Sequence, residues 1–161
     1  MSAFELLIPA LVADFKKLSP SDSLYSILKE PIQLLEHWDL YSTESSIPTA
    51  LAVEWAERLL PHIAETKISD PYNLNTVEKM KAFLTAVPER ELCNIMTTSL
   101  TELKKRFGTW KIAWGEINRY QRLSGDIDLK YDDHQKSLPV AFTSSVWGTL
   151  PSFVSQRSEG T

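Results

Sequence analysis

Pro88-Glu89-Arg90-Glu91-Leu92-Cys93-Asn94-Ile95-Met96-Thr97-Thr98-Ser99-Leu100-Thr101-Glu102-Leu103-Lys104-Lys105-Arg106-Phe107-Gly108 carries the clearest helical pattern in the chain. Leu92, Ile95, Met96, Leu100, Leu103 and Phe107 recur at helical spacing and so share one face. Pro88-Glu89-Arg90-Glu91 opens the helix. Lys104, Lys105 and Arg106 fall in the last turn, where the helix dipole favours cations, and Gly108 is placed to stop it.

The same logic reads the chain backward from there. Val77, Met80, Phe83, Leu84 and Val87 mark a preceding helix, capped by Asn75 or Thr76 after a surface loop over Lys67 to Asn75. Ala50, Leu51, Val53, Trp55, Ala56, Leu59 and Leu60 belong to a long helix that Pro48 begins and Pro61 weakens or bends. Its apolar arc exceeds half the circumference, which requires several packed neighbours. The polar joint Tyr41-Ser42-Thr43-Glu44-Ser45-Ser46 precedes it. Leu24, Ile27 and Leu28 form the stripe of another helix that Ser21 is expected to cap. Pro31 disfavours helical geometry at Glu30, so a kink or break is expected near residue 30, with a separate segment through Leu34, Leu35 and Trp38. Glu5 to Leu18 reads as the first helix.

Forward from Gly108 the pattern changes. Trp, Gly, Pro and Ser punctuate short segments, and only Val140 to Thr143 and Ser152 to Ser155 suggest strands. The expected organisation is a helical region over 1–108 and a Trp-rich irregular segment over 109–161. That segment is far longer than the dozen or so residues (about 12–15) usual for a structureless loop, so it needs something to pack on.

Composition bounds the function. With 43% hydrophobic and 24% charged residues in 161, the chain resembles an ordinary packed domain. Seventeen Lys plus Arg against 21 Asp plus Glu leave a net charge of -4, without the basic excess that displaces counterions from nucleic acid. The opening stretch has no basic leader, and its apolar run is shorter than the roughly 20 residues of a membrane helix. Cys93 has no cysteine partner and reads as a small buried residue.

Few motifs carry chemistry. Glycines at 108, 115, 125, 148 and 160 form no phosphate-cradling pattern, and His37, His62 and His134 lack metal-ligand spacing. The acidic stretch Asp126, Asp128, Asp132 and Asp133 fits no EF-hand loop and reads as solvated. No GxSxG elbow exposes a serine, so Ser45, Ser46, Ser144 and Ser145 read as caps and turn residues. His37 reads as a helix-end residue rather than a proton relay. Trp38, Trp55, Trp110, Trp114 and Trp147 serve either as core anchors, the favoured reading, or as walls of an apolar pocket. In Trp114-Gly115-Glu116-Ile117-Asn118-Arg119 the arginine and carboxylate suit a planar two-bond pair that fixes a loop, ahead of a clamp on an anionic substrate.

Three blocks in order carry a resemblance: Leu34-Leu35-Glu36-His37-Trp38-Asp39, then Glu44-Ser45-Ser46 leading to the Trp55 helix, then Thr109-Trp110 with Trp114-Gly115-Glu116-Ile117-Asn118-Arg119. In this order they resemble the large-chain region of the penicillin acylase family, whose members often read L-x-x-WD and later W-x-x-x-WG-[DE]-x-[HN]-R. Leu150 to Thr161 is similar to the family segment before the sheet resumes.

The resemblance implies an N-terminal nucleophile hydrolase with an αββα core that cleaves linear amides of β-lactams or acyl-homoserine lactones. It implies attack by an amino-terminal serine with its own amine as base, no cofactor, and periplasmic residence. The fold class expected of this chain is mainly α, the helical region of such an enzyme with a partly β C-terminal segment. The nucleophile and oxyanion asparagine would fall before residue 1 and the resumed sheet after residue 161, so no catalytic residue is carried over. Ser2 is not expected to be a nucleophile. Trp38, Asp39, Trp110, Trp114, Gly115, Glu116, Asn118 and Arg119 are expected to anchor structure near the cleft. The expected partners are the small chain, the rest of the large chain and an amide substrate. The rival expectation is a free-standing helical module that binds a protein through its Trp-rich tail.

Overall fold

The computed structural model describes residues 2–68, 76–121, 134–148 and 150, and the chain is mainly helical. Among the described residues five helices precede Gly108: α1 (Phe4–Lys16), α2 (Ser23–Glu36), α3 (Ile47–Glu65), α4 (Thr76–Ala86) and α5 (Glu91–Phe107). A short helical turn, α6 (Trp114–Ile117), follows. A two-stranded antiparallel ladder pairs β1 (Arg119–Tyr120) with β2 (Leu138–Pro139), and a 3-10 turn covers Ser145–Trp147.

Helix α3 is the hub, in contact with α2, α4, α5 and α6. Its wide apolar arc explains why: Ala50, Leu51, Ala52, Val53, Trp55, Ala56, Leu59 and Ile63 are all buried. They meet Phe4, Leu7 and Leu11 of α1, Leu28, Ile32 and Leu35 of α2, and Met96, Leu100 and Leu103 of α5 in one core. Trp55 is fully buried, and its indole N–H donates to the Leu92 carbonyl at 3.3 Å, which removes the penalty of a buried unpaired donor.

Several helix ends follow local chemistry, and α2 departs twice from expectation. Ser46 caps α3 by accepting from the Thr49 amide at 3.2 Å, and Pro48 sits in the first turn. Gly108 ends α5 at φ +76°, a left-handed backbone that glycine adopts without a Cβ penalty. The first departure is at α2, which Asp22 rather than Ser21 caps: the Asp22 carboxylate accepts from the Leu24 amide at 3.0 Å. Its carboxyl is held below its ordinary 3.8, first by that amide and then by Arg90 alongside.

The second departure is that α2 does not break at residue 30; it is one helix through Pro31. Proline removes one i to i−4 hydrogen bond, here to Ile27, and Ile27 is 46% exposed. Pro31, Ile32 and Leu35 are buried, and their packing offsets that loss. Pro9 and Pro61 also lie inside helices, and the residues four before them, Glu5 and Glu57, are likewise exposed.

The start of α5 is capped from across the chain. Arg90 precedes it at φ 69° and offers no capping side chain, and the carboxylate of Asp14 on α1 accepts from the Arg90 amide at 2.9 Å and the Cys93 amide at 3.3 Å. Both are among the amides that a helix start leaves unpaired. Burial, and then the charge of Asp14, pushes the Cys93 thiol up to about 12. Among the described residues Val140 to Thr143 form no strand; the ladder lies just before them, and Ser152 to Ser155 fall outside the described residues.

Candidate functional site

The motif Trp114-Gly115-Glu116-Ile117-Asn118-Arg119 lies between two segments, the loop 37–46 ahead of α3 and residues 137–142, which include β2, and bonds to both. The first amides of α6 have no partner inside so short a helix, so Trp114 N–H donates to the Ser46 carbonyl at 3.0 Å and Gly115 N–H to the Glu44 carbonyl at 2.7 Å. That approach excludes a side chain at 115. A Cβ there would stand 2.7 Å from the Pro139 Cβ and 2.9 Å from the Glu44 carbonyl oxygen, and backbone cannot swing aside.

The side chains reach the other way. Trp114 is buried, and its indole N–H faces the carbonyls of Ala141 at 3.2 Å and Phe142 at 3.3 Å. The Asn118 amide nitrogen donates to Val140 at 3.0 Å and Phe142 at 2.7 Å, while the Asn118 carbonyl accepts from Val140 N–H at 2.9 Å. Arg119 places its fork on the hydroxyl of Ser137 at 2.7 Å, the Ser137 carbonyl at 2.9 Å and the Gly115 carbonyl at 3.1 Å. Glu116 is solvent-exposed, and its carboxylate lies 3.8 Å from Arg119, so the expected planar two-bond pair is not formed. The carbonyls and the hydroxyl compete for the guanidinium at shorter range.

Trp38 and Asp39 shape the first loop. The Trp38 indole donates to the Tyr41 carbonyl at 3.0 Å, its ring meets Phe4 edge-on at 5.4 Å, and Asp39 accepts from the Tyr41 amide at 2.9 Å. Leu40 between them has a φ of 63°. Ser42, fully buried, donates to the Ala141 carbonyl and ties the two segments together directly. Trp110 is half-buried beside the core, with the Lys111 ammonium over its ring at 5.3 Å.

A second tie joins the tail to the start of the chain. Ala3 N–H donates to the Trp147 carbonyl at 2.9 Å, and so does the Ser2 hydroxyl at 3.2 Å. The same hydroxyl accepts from the Phe4 amide at 3.2 Å, so Ser2 acts as a turn residue. The Trp147 ring is fully buried, 5.8 Å from Phe4, and its N–H reaches Glu57 at 3.3 Å. Ser42, Ser137 and the Trp147 tie were not read from the sequence. Serines amid polar loop residues give no periodic signal, and these contacts span up to 145 positions of separation.

An open groove of about 730 Å³ runs beside Trp38, lined by Gln33, His37, Asp39, Tyr41 and Ser46 among others. Its imidazole is engaged: Nδ1 of His37 bonds the Gln33 carbonyl at 2.8 Å at the end of α2. Among the described residues no three His, Cys, Asp or Glu side chains converge as a metal site requires. The stretch Asp126 to Asp133 lies outside the described residues. No helix among them is long and apolar enough to cross a membrane.

Comparison with protein-family models, with curated proteins and with solved structures finds no match to this chain.

Proposed function

We propose that this chain is the helical part of a penicillin-acylase-like amidohydrolase, an enzyme that hydrolyses linear amides of β-lactams or acyl-homoserine lactones. The chain shapes and supports the site without supplying its reactive groups. One observation carries the supporting role: side-chain donors of Trp114, Asn118 and Arg119 are bonded to carbonyls and a hydroxyl of this chain itself. Trp38, Asp39, Trp110 and Gly115 serve the same anchoring, with Gly115 setting the approach of α6 to Glu44. The small chain and the rest of the large chain are then its partners, and the nucleophile is an amino-terminal serine on one of them, with its own amine as the base.

The experiment is an amidase assay on purified residues 1–161 with a chromogenic phenylacetyl amide and a long-chain acyl amide. The chain alone is expected to leave both intact, and co-production with the remaining acylase chains is expected to give hydrolysis. Turnover by the chain alone would overturn the catalytic division, and inactivity of the full set would overturn the family reading.

A second reading, a helical module that binds a partner protein, is favoured by a separate observation. Tyr120, Leu138, Phe142 and Val146 are large hydrophobic residues left exposed, all in the tail. Under that reading the chain captures a folded partner, and no combination of chains gains amidase activity.

A further inference from the structure

We draw no further inference here: the strongest candidate, the exposed apolar pair Tyr120 and Leu138 across the β1–β2 ladder with Phe142 and Val146 beyond it, carries nothing because no contact in the structure shows what covers it.

Discussion

The helical block before Gly108 and the tail after it are held by different means. In the block, α1, α2, α3 and α5 share a core of aliphatic and aromatic side chains, into which Trp114, Trp147 and Leu150 of the tail also pack. Among its described large hydrophobics only Ile27 and Val77 are exposed. The tail instead has short elements laced by directional bonds from Trp114, Asn118 and Arg119, and it leaves Tyr120, Leu138, Phe142 and Val146 exposed. Burial is non-directional and tolerates conservative change, whereas a lacing of hydrogen bonds fails when one donor is moved. The two regions should therefore answer differently to substitution.

The largest effect is expected in the block. Trp55→Ala removes a fully buried ring together with its bond to the Leu92 carbonyl, and destabilisation of about 3–5 kcal/mol is expected in denaturant titration, with every probe moving together. Trp147→Ala deletes a side chain equally buried, yet it should release the tail and the Ser2–Ala3 tie before α3 and α5 melt. Near-ultraviolet and far-ultraviolet dichroism would then give separated transitions; coincident ones would mean that block and tail are one cooperative unit.

Gly115→Ala comes next, at about 1–3 kcal/mol, because the added methyl meets the Glu44 backbone and Pro139 with no flexible neighbour to yield. An unchanged melting temperature would show that α6 does not need its close approach. In the block, Cys93 should resist alkylation at mildly alkaline pH until global unfolding, its thiol being buried and pushed up to about 12. Fast labelling of native protein would place α5 among locally opening elements.

The smallest effect is electrostatic. Asp22 and Glu36 are acids whose folded values are lowered, Asp22 first by the Leu24 amide and Glu36 first by its bond with Lys16. The native state therefore binds their protons more weakly than the unfolded chain. Their contribution is present above the ordinary values of 3.8 and 4.5 and is lost as pH falls through the lowered ones. Asp22→Asn should flatten the acid limb of a melting-temperature profile; an identical limb would remove Arg90–Asp22 from the account of the block. Glu36 is exposed and Asp22 partly so, and salt should shrink the difference, more for Glu36 than for Asp22.

Much of the block was legible because its signals are local. Ser46 before Ile47-Pro48, Gly108 after three basic residues, and the stripe from Leu92 to Phe107 each act within a few turns of their own helix. Pro31 misled because local stereochemistry forbids a hydrogen bond, while the burial of Ile32 and Leu35 that outweighs it comes from distant helices. Asp14 capping α5 from 76 residues away has no local signature. In the tail, Trp114, Asn118 and Arg119 stood out by composition, but their acceptors are carbonyls, and any residue presents one. That is why the arginine looked paired with Glu116 and instead holds Ser137.

The central claim is that the motif clasps the tail to the loop ahead of α3, its side chains bonding residues 137–142 and its first amides the Ser46 and Glu44 carbonyls. Native-state amide exchange of the Asn118→Ala protein, which loses the side-chain bonds to the Val140 and Phe142 carbonyls, tests it most directly, read at Val140, Trp114 and Gly115, whose amides bond to the backbone carbonyls of Asn118, Ser46 and Glu44. The expected result is faster exchange at Val140 and, through the loosened α6, at Trp114 and Gly115, with the amides of α3 and α5 unchanged. Protection at all three as strong as in the parent protein would contradict it.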